Sequence, residues 1–132
     1  MSTIKESIKG VISALKNDAP LTALINRRVY TKAPQRCTLP YITLKISSRP
    51  WETSDKIGML HDLDISIYTE DDAQENLDIH AAIYNLLHRQ DVPILNHANV
   101  NLEWKFGDPL GFNADGSFQT LDRYELTVIK VI

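Results

Sequence analysis

The amino-acid sequence predicts an α+β fold: an antiparallel or mixed sheet of about four main strands with helices packed on one face. Three observations carry this expectation. Four runs alternate apolar and polar residues with period two, the pattern of strands with one dry and one wet face. Two other segments repeat apolar residues at helical spacing. The helical segments stand before and between the strands, without the regular strand–helix alternation of a parallel sheet.

The first element is a helix in which Ile4, Ile8, Val11, Ile12 and Leu15 fall within a stripe roughly 100° wide. Ser2 or Thr3 is placed to cap it, with Glu6 three residues after Thr3. Asn17 and Asp18 end it, and Pro20 opens a short second helical turn through Leu24. Val29 and Tyr30 read as a minor edge strand. In the connector that follows, Pro34 and Pro40 push Ala33 and Leu39 into extended geometry. The first main strand alternates Ile42, Leu44 and Ile46 with Thr43, Lys45 and Ser47, and the second alternates Leu63, Ile65 and Ile67 with Asp64, Ser66 and Tyr68.

A long helix is expected from about Asp72 to Arg89, with Asp72 and Glu75 as a capping pair and the acidic run Glu70-Asp71-Asp72 at its positive end. Ala73, Leu77, Ile79, Ala81, Ile83, Tyr84, Leu86 and Leu87 spread over roughly 220° of this helix, more than the ~100° of a helix packed on one side. It therefore needs two dry contacts: the sheet, and either the first helix or another subunit. Two strands close the chain, one with Val100, Leu102, Trp104 and Phe106 on its apolar face and one with Tyr124, Leu126 and Val128. The segments Ser48–Leu60 and Gly107–Ser117 are expected as loops, long for hairpins and so candidates for function.

Composition excludes several classes. At 132 residues the chain is expected to form a single domain over 1–132. Its one cysteine rules out an internal disulfide and a cysteine-based zinc site, and a net charge of -3 gives no footprint for nucleic acid. No apolar run approaches membrane-spanning length and no signal-peptide core follows Met1, so synthesis in the cytoplasm is expected.

Catalytic, cofactor and metal sites are expected to be absent. Cys37 has Arg36 beside it but no histidine in its segment, and reads as a small side chain in a connector. Asp62 and Asp64 share a strand face from which His61 points away, which defeats three-point metal coordination on one strand. His80 reads as a hydrogen-bonded core histidine, while His88 and His97 stand alone at element ends. "NADG" before Ser117 lacks the spaced carboxylates of a calcium loop and reads as a hairpin turn. No phosphate-cradling glycine loop or serine elbow is present. Trp51, in the polar stretch "SSRPWETSDK", is the residue that packing explains least. An aromatic with arginine beside it has the makings of an interface anchor.

In order along the chain, "RVY", "APQ", "LPYITL", "WETSDKIG", "LDISIYTE", "AQENLDIHAAIYNLLH" and "ADGSFQTLDRYELTVI" resemble the tail-terminator, or tail-completion, proteins of long-tailed bacteriophages, prophages and gene-transfer particles. Arg27 stands where the family has a small residue, and Glu52 where Asp is more usual. The resemblance implies a structural virion protein, without enzymatic activity, made in the bacterial host. It implies a homo-oligomeric ring, commonly of six subunits, on the head-proximal end of the tail tube, with a monomer in solution compatible. Such a ring stops tube polymerisation, offers a surface to head completion proteins, and passes DNA without binding it specifically. Two alternatives stay open: a neck or head–tail connector of similar size, and an orphan ligand-binding domain or enzyme.

On this reading Arg49, Trp51, Glu52, Asp55 and Lys56 form a candidate tube-contact loop. Ile79, Ile83 and Leu86 are the candidate subunit-interface positions on the long helix, with an edge strand as the second patch that cyclic symmetry requires. Cys37→Ser is expected to change unfolding free energy by less than ~0.5 kcal/mol and to leave assembly intact. Denaturant titration and a tail-joining assay check this; a folded variant that fails to join tails would make the thiol functional.

Overall fold

The alternating runs pair into one sheet in the computed structural model, which describes residues 2–70 and 73–131. Among these, the elements run α1 (Ser2–Asn17), α2 (Ala19–Ile25), β1 (Val29–Tyr30), β2 (Tyr41–Glu52), β3 (Ile57–Thr69), α3 (Ala73–Leu87), β4 (His97–Phe112) and β5 (Phe118–Lys130). The sheet order is β1-β2-β3-β5-β4, with β1 parallel to β2 and every other pair antiparallel. The fold is α+β as expected, its four long strands antiparallel and its sheet mixed through the short parallel β1.

The helices cover one face. Ile42 and Leu44 of β2, Leu63, Ile65 and Ile67 of β3, and Tyr124, Leu126 and Val128 of β5 are buried there. Val11 and Leu15 of α1, Leu21 and Ile25 of α2, and Ile79, Ile83 and Leu87 of α3 close the core over them. Asp18 caps α2 by accepting from the Leu21 amide at 3.1 Å, with Pro20 in the first turn. Thr3 lies inside α1 and does not cap it; its hydroxyl meets His97 Nε2 at 3.1 Å. The expected Asp72 cap and its neighbour Asp71 fall outside the described residues.

The second dry contact of α3 lies within the chain. Ala82 and Leu86 pack at the core margin on the side where α2 meets α3. Ile79 and Ile83, expected at a subunit interface, are 0% exposed and belong to the core under the sheet. The wide apolar arc arises because α3 is wedged between the sheet and another helix. Leu77, 59% exposed, is the large apolar side chain that this packing leaves uncovered on α3.

The two expected loops are strand. β2 and β3 stay paired out to Glu52–Ile57 and reverse through Thr53–Lys56, where the Thr53 amide donates to the Lys56 carbonyl at 2.9 Å. β4 and β5 stay paired out to Phe112–Phe118. Their tip is the turn expected from "NADG": Asp115 Oδ1 accepts from the Ser117 amide at 3.0 Å and its hydroxyl at 2.7 Å, and Gly116 takes φ +88°. Both segments are therefore long hairpin arms.

β4 also departs from simple alternation. Its register against β5 shifts between Asn99 and Asn101, between Trp104 and Phe106, and between Pro109 and Gly111. Each extra residue reverses the phase of a period-two pattern. Val100 and Phe106, expected beside Leu102 and Trp104 on the dry face, are 46% and 41% exposed for this reason.

The open face of the sheet is charged and internally neutralised. Arg123 grips Asp64 with two bonds of 2.7 and 2.9 Å and lies over the Phe106 ring. Arg49 pairs with Asp62 at 2.9 Å and Glu125 at 3.8 Å, and Lys105 with Glu103 and Glu125.

Ile79→Ala should lower the unfolding free energy by about 2–5 kcal/mol, the cost of emptying a core site. A denaturant melt reads this directly. An unchanged melt would return Ile79 to an interface.

Candidate functional site

Two surfaces combine exposure with built geometry: the β2–β3 arm, and a groove where α3 meets the β4–β5 arm. Arg49 and Trp51 alternate on the open face of the first arm, two residues apart on one strand. Glu52 points to the opposite face, while Asp55 and Lys56 form the tip, where Asp55 Oδ1 accepts from Thr53 Oγ1 at 3.1 Å. Trp51 is half-buried and sits across from Gly58 in the register. A Cβ at Gly58 would come within 2.0 Å of the Val128 carbonyl, so the strands approach more closely there than any side chain would allow. The arm thus brings these five residues onto one projecting hairpin. Ile79 and Ile83 lie in the core and Leu86 at its margin, so the two sets expected to act in contacts are not neighbours.

The groove holds about 350 Å³ and is lined by Ala73, Leu77, Pro109 and Phe118, with His80, Trp104 and Asp122 at its polar end. Asp122 is only 3% exposed. Its carboxylate accepts from His80 Nδ1 at 2.7 Å and from Trp104 Nε1 at 3.1 Å, tying α3, β4 and β5 together. Gly107 makes room for it, since a Cβ there would stand 2.7 Å from Asp122 Oδ1. Trp104 also donates its amide to His88 Nδ1 at 3.0 Å.

The sequence holds a signal for Asp122. One more step of the Tyr124, Leu126, Val128 alternation places a carboxylate on the apolar face, where it must find a partner. His80 is that partner, and is half-exposed at the groove rim instead of buried in the core. His61 is the buried histidine, with Ser48 Oγ at 2.6 Å from Nδ1 and Ser7 Oγ at 3.0 Å from Nε2. It lies on the helix face while Asp62 and Asp64 lie on the other, as expected. His97, expected to stand alone, bonds Leu95 and Thr3. No group of three His, Cys, Asp or Glu side chains among the described residues could hold a metal ion. Cys37 lies partly exposed in the connector at the β1 edge, far along the chain from the groove histidine, beside Tyr30 and with a weak 3.8 Å contact to the Thr38 carbonyl.

The two histidines titrate in opposite senses. The Asp122 hydrogen bond raises the His80 pKa above its ordinary value, against the effect of burial. Burial lowers that of His61. The stabilisation from His80 is therefore complete below the ordinary histidine pKa of about 6.5 and is lost as pH rises through the higher folded value. His61 acts the other way, withdrawing stability as pH falls below that ordinary value.

Comparison with known proteins gives a consistent result. Residues 9–119 match the family model described as "Tail completion protein gp17". Among curated proteins no sequence matches. A chain from a solved structure described as "Virion of native gene transfer agent (GTA) particle" shares the fold: the TM-score is 0.78 at 21% identity, covering 90% of this chain and 91% of that one.

An NMR titration of the ring protons should find His80 above and His61 below the ordinary value. Asp122→Asn should bring His80 back toward it and cost more stability at pH 6 than at pH 8. An unmoved His80 would show that Asp122 is not its partner.

Proposed function

The chain belongs to the tail completion protein gp17 family, a family of structural virion proteins, and from that premise we propose that it caps the head-proximal end of a phage tail tube. On this reading it forms a ring there, commonly of six subunits, stops addition of tube protein, and presents the surface to which head completion proteins attach. DNA passes through the opening without specific binding, and the role is structural and not catalytic.

The family match over most of the chain carries the proposal. The two arms support it. Residues 53–56 and 113–116 at their tips are exposed, so they reach a partner without opening the core. Trp51 with Arg49 on the open face, Glu52 at the strand end and Asp55 and Lys56 at the tip make an aromatic anchor flanked by both signs of charge. The polar atoms at the end of the groove are taken up by one another, Asp122 by His80 and Trp104, and this favours a structural role over a ligand-binding one.

Tube protein polymerised with the chain should give tubes of restricted length. Trp51→Ala should keep the circular dichroism of the parent while tubes grow longer and less uniform and fewer join heads. Normal tube lengths with the folded variant would remove Trp51 from the tube contact.

A further inference from the structure

The charge of this chain is sorted between the two edges of its sheet. No acidic residue lies between Asp18 and Glu52, a stretch that contains Arg27, Arg28, Lys32, Arg36, Lys45 and Arg49. It builds the β1 edge and its connector, where Arg27, Lys32 and Arg36 are exposed and make no ion pair among the described residues. No lysine or arginine lies between Glu70 and His88, or between Phe106 and Asp122. These stretches build α3 and the β4–β5 arm, the walls of the groove at the other side of the sheet. Glu70, Asp78 and Asp108 are exposed there and likewise form no ion pair among the described residues.

The register adds a geometric condition. β1 pairs with the first residues of β2, which pair with the last of β3, which pair with the first of β5. Tyr30, Thr43, Ser66, Leu121 and Asp108 thus form one row across the sheet. The basic connector and Asp108 on the groove rim therefore stand at the two ends of one row of the sheet. Two copies placed side by side by a rotation bring the one against the other, and each copy keeps its second patch free for the next. The groove floor is apolar through Ala73, Leu77, Pro109 and Phe118, and the connector offers Ala33 and Pro34 between Lys32 and Arg36.

We propose that the groove between α3 and the β4–β5 arm receives the connector segment 31–37 of a second copy of this chain, small apolar residues on its floor and Lys32 and Arg36 against its acidic rim. This contact rests on the ring reading above and specifies its subunit interface. It replaces Ile79 and Ile83, which the core holds, with Leu77 and the groove, and it identifies the edge that faces them.

The native Cys37 makes the contact testable. In a Leu77→Cys variant, a short bismaleimide should join Cys37 of one copy to the new thiol of the next. The product is a ladder of covalent species above the dimer, absent from the parent and from Leu77→Cys carrying Cys37→Ser. Its yield should fall several-fold from roughly 50 mM to roughly 500 mM salt, as screened charges require. Lys32→Glu with Arg36→Glu should abolish the ladder, and adding Glu70→Lys with Asp108→Lys in the same chain should restore it. Oligomers that glutaraldehyde fixes on tube ends but bismaleimide does not link would place the interface elsewhere and leave the ring reading standing. Links from Leu77→Cys to tube or head proteins would give the groove to them and overturn the proposal. Absence of any oligomer with either reagent, on tube ends included, would remove the ring reading and this contact together.

Discussion

The pairing of β3 with both β2 and β5 along its whole length is the constraint on which the other elements depend. One face of β3 carries Leu63, Ile65 and Ile67 into the core, which fixes the side on which all three helices dock. The other face carries Asp62 and Asp64, which bind Arg49 of β2 and Arg123 of β5. A slip of one residue in this strand would bury two carboxylates and expose three aliphatic side chains, a reversal that no local rearrangement offsets. The same strand supplies His61, whose two serine partners come from α1 and β2, so its position also sets the height of the first helix.

The alternating centres of the strands, the helices, the Pro20 start of α2, the edge strand β1 and the "NADG" turn were legible because each is a local signal. The arms were not. Alternation is visible only where something dry covers one face, and beyond Ile46 the helix-side positions of β2 are Ser48, Pro50 and Glu52. A strand wet on both faces has no period to read, so it resembles a loop. The three register shifts of β4 were hidden for a related reason: Val100 and Phe106 keep the apolar count correct while the chain inserts a residue. The family resemblance was legible because it rests on the order of motifs and not on where each side chain points.

Asp122 shows how a site can lie outside both kinds of signal. Its place on the dry face follows from the alternation of β5, but its partners come from α3 and β4, forty-two and eighteen residues earlier in the chain. Only the fold brings them together. The bond to His80 ties the helix to the last hairpin and gives the groove its fixed end. The open face pairs most of its charges within the sheet; the two edges do not. On the proposed ring reading, that division suits a subunit whose edges meet its neighbours.

The most direct measurement is an electron cryomicroscopy reconstruction of the chain bound to the end of a tail tube. The account predicts a closed ring on one end of the tube, with the β2–β3 arms directed at the last tube subunits. Tubes that carry no such ring, or that bind the chain along their sides as separate monomers, would contradict it.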